Sequence, residues 1–209
     1  MGSPLFIACQ YDFKSGLVRR MIKLYGAPRT RATIAKWYLE ELKVPYEFVQ
    51  LNMKRGEHLQ LEFRAINPFG KVPAIQDGEV TLWESGAILL YLDRTYGPDK
   101  SEGDRSLDVQ WSHFANATLA VGLFVDDRRE KETPRILGPL NTYLSEQDYL
   151  VGGTFGVSDV AVGSLLFYLP LFFKMDLSDY PAVQAYMKRL GDRPAFQATL
   201  GARYTNSLK

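Results

Sequence analysis

The chain has 209 residues, 46% of them apolar and 13% aromatic, which is enough for one large domain or two small ones and excludes a disordered chain. Its net charge of +1 excludes the strong field that binding to nucleic acid or an anionic membrane surface requires. The single cysteine, Cys9, excludes an internal disulfide and fits a reducing, cytoplasmic setting, while His58 and His113 lack metal-ligand spacing, so no metal site is expected.

Residues 1–20 stand apart. They carry three bases and one acid, so without them the balance falls to 22 bases against 23 acids, that is from +1 to −1. They lack the long apolar stretch of a secretory signal and are expected to be a disordered extension outside the fold. Ile22 to Tyr25 reads as a first strand closed by Gly26-Ala27-Pro28. From about Thr30 the pattern is helical, with Ile34, Trp37, Tyr38 and Leu42 at three- and four-residue intervals until Pro45. Tyr46 to Leu51 reads as a second strand, completing a βαβ beginning.

Glu57 to Ala65 is polar and reads as a short helical turn, and Asn67-Pro68-Phe69-Gly70-Lys71-Val72-Pro73 as a rigid bend. Val72–Gln76 and Glu79–Leu82 then make a hairpin around an Asp77-Gly78 turn. Ser85 opens the next helix, with Ile88, Leu89, Leu92 and Tyr96 along one side, and Gly97-Pro98 stops it. Residues 21–97 thus form a βαβ-ββα, thioredoxin-like unit. Residues 98–104 are a polar linker, and 105–209 an all-helical domain with helices near 105–125, 128–147, 157–173, 181–191 and 194–200. The most apolar stretch, 160–173, contains Gly163, Ser164 and Pro170 and reads as a buried helix and not a membrane span. Asp159, three residues after Gly156, is placed to cap that helix; His113, on an apolar stretch with Trp111 and Phe114, reads as a packing residue.

Three segments have the chemistry of a binding site, and each also has a plain structural reading. Thr30, between Arg29 and Arg31 at a helix start, either stabilises a thiolate through hydroxyl, helix dipole and positive charge, or simply caps the helix. A cis bond at Pro73 would offer the Val72 backbone to an extended peptide; the alternative is an ordinary turn. Glu84 and Ser85 at the next helix start suit an amino group and a carboxylate, or are a cap with an acidic neighbour.

Taken together, KLYGAPRTRATIAKWYLEE, INPFGKVPAIQDGEVTLWESGAILLYLDRTYG and the later YPAVQAYMKRLGDRPAFQ resemble the cytosolic glutathione transferases over Met21 to about Leu200. The first segment is closest in wording to the bacterial chi class. The resemblance implies a thioredoxin-like domain that binds glutathione as co-substrate, with no other cofactor, and a helical domain that takes a small hydrophobic electrophile such as an isothiocyanate. It implies that Val72 pairs with the cysteinyl part of glutathione before a cis-Pro73, that Glu84 and Ser85 hold the γ-glutamyl end, and that Lys71 and His58 reach the glycyl end. Thr30 takes the position of the catalytic serine of plant-type members. Arg31 adds positive potential there and Thr33 is a reserve donor; Tyr25 lies too early. Phe114, Thr118 and Phe124 are expected to wall the electrophile site, and Phe69 to insert into the partner of a homodimer. The alternatives are a glutathione-binding scaffold with little turnover and a glutathione-dependent peroxidase.

Overall fold

The computed structural model describes residues 9–12 and 17–201, with side chains from Met21 to Gly201. Of the expected disordered extension, residues 1–8 and 13–16 lie outside the described residues. The two described stretches, β1 (Cys9–Asp12) and β2 (Leu17–Arg20), pair antiparallel as a sheet of their own, Cys9 opposite Arg20.

The second sheet has four strands, β3 (Ile22–Gly26), β4 (Tyr46–Gln50), β5 (Ala74–Asp77) and β6 (Val80–Trp83), in the order β4-β3-β5-β6. β3 and β4 are parallel, which requires the crossover supplied by α1 (Ala32–Leu42); β5 and β6 are antiparallel to their neighbours. Successive residues serve opposite faces of this sheet. Leu24 and Ile75 are buried in the main core with α1 and α3 (Ser85–Tyr96). Tyr25 and Ala74, next to them in sequence, face the other side and pack with Phe63 of the short α2 (Leu61–Arg64). The arrangement is the thioredoxin-like one. Between β4 and α2 lie two single turns of 3₁₀ helix, Met53–Arg55 and Glu57–Leu59. The β5–β6 turn is Gly78-Glu79 and not Asp77-Gly78: Asp77 is the last paired residue, opposite Val80, and Gly78 takes φ +60°.

The rest is helical. α4 (Glu102–His113) runs through a π-helical turn (Phe114–Leu119) into α5 (Ala120–Leu123), followed by α6 (Asp126–Ser145), α7 (Val157–Phe173), α8 (Pro181–Gly191), α9 (Pro194–Phe196) and a last π turn (Gln197–Gly201). α7 is the central helix, with every residue from Val157 to Leu169 buried. Asp159 caps it: its carboxylate accepts from Gly156 N–H at 2.8 Å, Leu150 N–H at 3.0 Å and Tyr186 Oη at 2.8 Å. Among the described residues no helix is long and apolar enough to cross a membrane. His113 is exposed and hydrogen-bonds the Val109 carbonyl at 2.9 Å, so it is not the packed residue its neighbours suggest.

The two domains share one core. Trp37 of α1 is fully buried, edge-on to Phe196 at 5.1 Å. Beside it Glu41 accepts from Trp37 Nε1 and receives both arms of Arg193, at 2.7 and 2.8 Å. Arg193 also stacks on Phe155 at 3.5 Å. A bidentate, stacked pair uses the planar guanidinium as a lysine could not.

Candidate active site

The site is assembled at the C-terminal end of β3 and the starts of α1 and α3. Gly26 lets α1 approach: a Cβ there would stand 2.2 Å from Ala32 Cβ. The chain then turns through Pro28 and Arg29, whose φ of 68° is in the left-handed region. The Thr30 hydroxyl ties this turn together. It donates to the Ala27 carbonyl at 2.8 Å and accepts from Ala32 N–H at 3.3 Å and Ala27 N–H at 3.4 Å. Its proton is therefore committed to the backbone in this arrangement. Thr33 is similarly engaged, donating to the Thr30 carbonyl at 2.9 Å and lying 3.4 Å from Tyr168 Oη. Tyr25 donates to Gln76 at 2.6 Å, and burial followed by the Glu47 charge raises its pKa, so it is not an activated phenol.

A cavity of about 270 Å³ opens at this place, lined by Arg31, Asn67, Lys71, Val72, Pro73, Glu84 and Ser85. It brings together six of the eight residues singled out from sequence. The Val72–Pro73 peptide is cis. Glu84 is exposed and holds φ 72°, a backbone state costing a non-glycine residue about 1–3 kcal/mol and one that clusters at ligand sites. Ser85, only 5% exposed, opens α3, whose first N–H groups carry the positive end of the helix dipole. These are a carboxylate, a hydroxyl, two cations and the backbone of the cis Val72–Pro73 peptide on one hollow; the strand itself starts at Ala74, two residues later than the sequence predicts.

Thr30 and His58 do not line that hollow. His58 sits in the 3₁₀ turn packed on Gly70, where a Cβ would come within 2.8 Å of the His58 carbonyl. Its Nδ1 is buried with no hydrogen-bond partner, a polar atom that a ligand would satisfy. Asn67 belongs to the bend motif, and the sequence gives it no role of its own. It is 2% exposed, its Nδ2 donates to the Lys71 carbonyl at 2.7 Å and its Oδ1 accepts from Phe69 N–H at 3.1 Å, so it fixes the loop that presents Val72. An Asn-Pro bend was the available signal. A wider hollow of about 450 Å³, lined by residues such as Phe167, Met187 and Phe196, contains nothing from the sheet, α1 or α3. Converging polar groups, and not size, make the smaller one the candidate site.

Toward the helical domain, Phe124 packs on Tyr168 and Phe173, with ring centroids 6.3 and 5.4 Å apart, and Phe172 adds to this aromatic cluster beside Thr33. Phe114 instead packs edge-on against Trp111 at 5.2 Å, and Thr118 is exposed. Phe69 is 64% exposed and stands edge-on to Trp83 at 5.0 Å.

A thioredoxin-like domain with this cis-proline edge, fused through its core to a helical bundle, defines the glutathione transferase class of protein. The comparisons agree: the N-terminal domain model of glutathione S-transferase matches residues 21–94 and the C-terminal domain model residues 125–194. The chain belongs to the glutathione S-transferase family. It is 31% identical over 208 residues to the disulfide-bond oxidoreductase YfcG of Escherichia coli (strain K12), covering 88% of this chain and 96% of the relative. It is 31% identical over 203 residues to the glutathione S-transferase GstB of the same strain, covering 84% and 95%. Among solved structures it resembles the theta class glutathione S-transferase of Xanthomonas axonopodis pv. citri with glutathione bound, at TM-score 0.76 and 28% identity over 85% of this chain and 96% of that one.

Proposed function

We propose that the protein is a glutathione transferase whose site between β3, α1 and α3 converts the glutathione thiol to thiolate for attack on small hydrophobic electrophiles, isothiocyanates among them. The single observation that carries this is the cavity itself, where Val72, Pro73, Glu84, Ser85, Lys71 and Arg31 converge. Glu84 and the α3 start take the amino and carboxylate groups of the γ-glutamyl end. The Val72 backbone pairs with the cysteinyl unit, and Lys71 and His58 take the glycyl end. That leaves the sulfur over the first turn of α1. A free thiol of pKa about 8.5 is only a few per cent ionised at neutral pH. Arg31 supplies a fixed positive charge, and Thr30 can turn its proton from the Ala27 carbonyl to the sulfur. Attack forms the carbon–sulfur bond; the thiol proton leaves to solvent, and the electrophile's leaving group, or a protonated adduct, completes the balance.

The aromatic cluster of Phe124, Tyr168 and Phe173 is the wall of the electrophile site. The edge-on Phe69 is the group that inserts into a second copy in a homodimer, and the protein works in the cytoplasm without a further cofactor. The test is a calorimetric titration with glutathione, followed by turnover of an isothiocyanate and a halonitroarene. Saturable binding that is lost in Ser85→Ala is expected. Equal binding by wild type and Ser85→Ala overturns the site.

A second reading rests on one relative, which is named a disulfide-bond oxidoreductase. No cysteine follows Cys9 in this chain, so disulfide chemistry here would run through the sulfur of glutathione, two glutathiones reducing one disulfide to two thiols and leaving oxidised glutathione. Turnover of a small disulfide exceeding that of every electrophile would favour it.

A further inference from the structure

Arg31 does not stand alone at the mouth of the cavity. Its Nη1 donates to Asn116 Oδ1 at 3.0 Å, across 85 residues of sequence and from one domain to the other. Asn116 is itself oriented: its Nδ2 donates to the Ser112 carbonyl at 3.0 Å, which turns the amide oxygen toward Arg31. It sits in the π turn between α4 and α5, where Ala120 N–H bonds the Ala115 carbonyl, five residues back. Such single π turns inside α-helices recur at functional places, because the extra residue re-aims the side chains it carries. The turn buries Ala115 and Leu119 in the core.

The same side chain abuts the α3 start. A Cβ on Gly86 would stand 2.7 Å from Ser112 Oγ and 3.1 Å from Asn116 Nδ2, so a larger residue there would displace both side chains. Asn116 therefore sits where three elements meet: the α1 start with Arg31, the α3 start with Ser85, and the π turn.

We infer that Asn116 is a positioning residue for thiol activation, fixing the Arg31 guanidinium so that its remaining N–H donors face the sulfur. This rests on the reading of Arg31 given above. The physical reason is entropy and geometry. A half-exposed arginine samples many rotamers, and its charge acts on a thiol only when held near it. One neutral hydrogen bond fixes the planar fork without cancelling its charge, as a carboxylate partner would. The helical domain thereby takes part in activating a thiol bound on the other domain.

The experiment measures the thiol pKa of bound glutathione and the pH profile of kcat in wild type, Arg31→Ala, Asn116→Ala, Asn116→Asp and the double variant Arg31→Ala/Asn116→Ala, with melting curves to confirm folding. Asn116→Ala is expected to raise the thiol pKa by about one unit and to lower kcat by up to about tenfold at pH values below that pKa, with KM for glutathione little changed. The double variant is expected to match Arg31→Ala, because the two residues act as one unit. Asn116→Asp keeps the acceptor for Arg31 but loses the donor to the Ser112 carbonyl, so a merely structural role requires a lowered Tm with a wild-type thiol pKa. The positioning role requires a raised thiol pKa, because the carboxylate neutralises Arg31. A wild-type thiol pKa in both Asn116 variants, or additive effects in the double variant, overturns the inference. A wild-type thiol pKa in Arg31→Ala overturns it as well, and retained glutathione binding in that variant shows that the glutathione-site reading survives. Asn116→Asp keeps the test open if the alanine variant does not fold.

Discussion

Lys100 Nζ stands 2.7 Å from Asp108 Oδ2, and the same ammonium reaches Asp93 Oδ1 at 3.0 Å. The linker lysine thus joins α3 of one domain to α4 of the other. Both carboxylates are nearly sealed from solvent and have further donors, Tyr38 Oη to Asp93 and Ser158 Oγ to Asp108. Burial opposes the lysine's charge, but the hydrogen bonds it donates to Asp108 and Asp93 outweigh it and hold its pKa above the ordinary value. Removing one partner of a buried ion pair leaves the other uncompensated, at about 3–5 kcal/mol. Lys100→Met is therefore expected to lower Tm by roughly 10 °C. Adding Asp93→Asn and Asp108→Asn should restore much of that. A single-variant Tm within a degree or two of wild type would show that the latch contributes nothing.

Thr30 makes a separate prediction, because its hydroxyl both holds the turn and stands as the proposed donor. Thr30→Ser keeps the hydroxyl and relaxes its rotamers, so it should bind and turn over like the wild type within a few fold. Thr30→Val keeps the shape and leaves Ala27 N–H and Ala32 N–H without their acceptor. We expect Thr30→Val to lower stability by about 1–2 kcal/mol and to raise the thiol pKa of bound glutathione. A valine variant with a weakened fold but an unchanged thiol pKa would assign Thr30 to the turn alone and leave activation to Arg31.

Much of this was legible in the chain because local chemistry and burial agree. The run 157–173 is apolar all round, as a central helix must be, and Gly156 with Asp159 marks its start. The bend Asn67 to Pro73 carries its own rigidity, so the sequence places Val72 and Pro73 together, and both line the cavity. The hairpin turn lies one residue later than the sequence predicts. Asp77-Gly78 is the stronger local turn signal, but Tyr91 and Tyr96 both donate to the Asp77 carboxylate and hold it in the strand. The sequence points to Arg31 but not to its partner Asn116. That pairing depends on a π turn and on the approach of two domains, neither of which leaves a periodic trace. Thr30 lies just before α1, as the helical pattern predicts, yet its hydroxyl turns back to the Ala27 carbonyl across Arg29, whose φ of 68° no arginine advertises.

Asp159 predicts how stability depends on pH. Burial, the largest influence, raises its pKa from 3.8 to about 6 against the opposing hydrogen bonds from Leu150, Tyr186 and Gly156. The folded state then binds more protons than the unfolded state between about pH 4 and 6. Its contribution to stability falls as pH rises through that window and is constant above it. Asp159→Asn lacks this titration. It is also less stable throughout, because an asparagine has one acceptor oxygen for three donors. The stability advantage of wild type over Asp159→Asn should therefore shrink from pH 4 to 6 and then level off, read by chemical denaturation at each pH. An advantage that grows over the same range would mean that the hydrogen bonds, and not burial, govern this carboxylate.

Gly26 links the sheet to the site through packing alone. A Cβ at this position would lie 2.2 Å from Ala32 Cβ and 3.1 Å from the Phe48 ring. Ala32 has no flexible end to move aside and is fully buried at the first turn of α1. Gly26→Ala must therefore push the helix start away from β3 and carry Thr30 and Arg31 with it. Overpacking of this kind costs about 1–3 kcal/mol. The displaced turn should also reduce kcat more than it weakens glutathione binding, since Val72, Glu84 and Ser85 lie on other elements. The reciprocal change checks the cause: Ala32→Gly removes the opposing methyl at about 1 kcal/mol of helix propensity. Gly26→Ala/Ala32→Gly should be more stable and more active than Gly26→Ala alone. If the double variant is no better than the sum of its parts, close contact between these two residues is not what positions the turn.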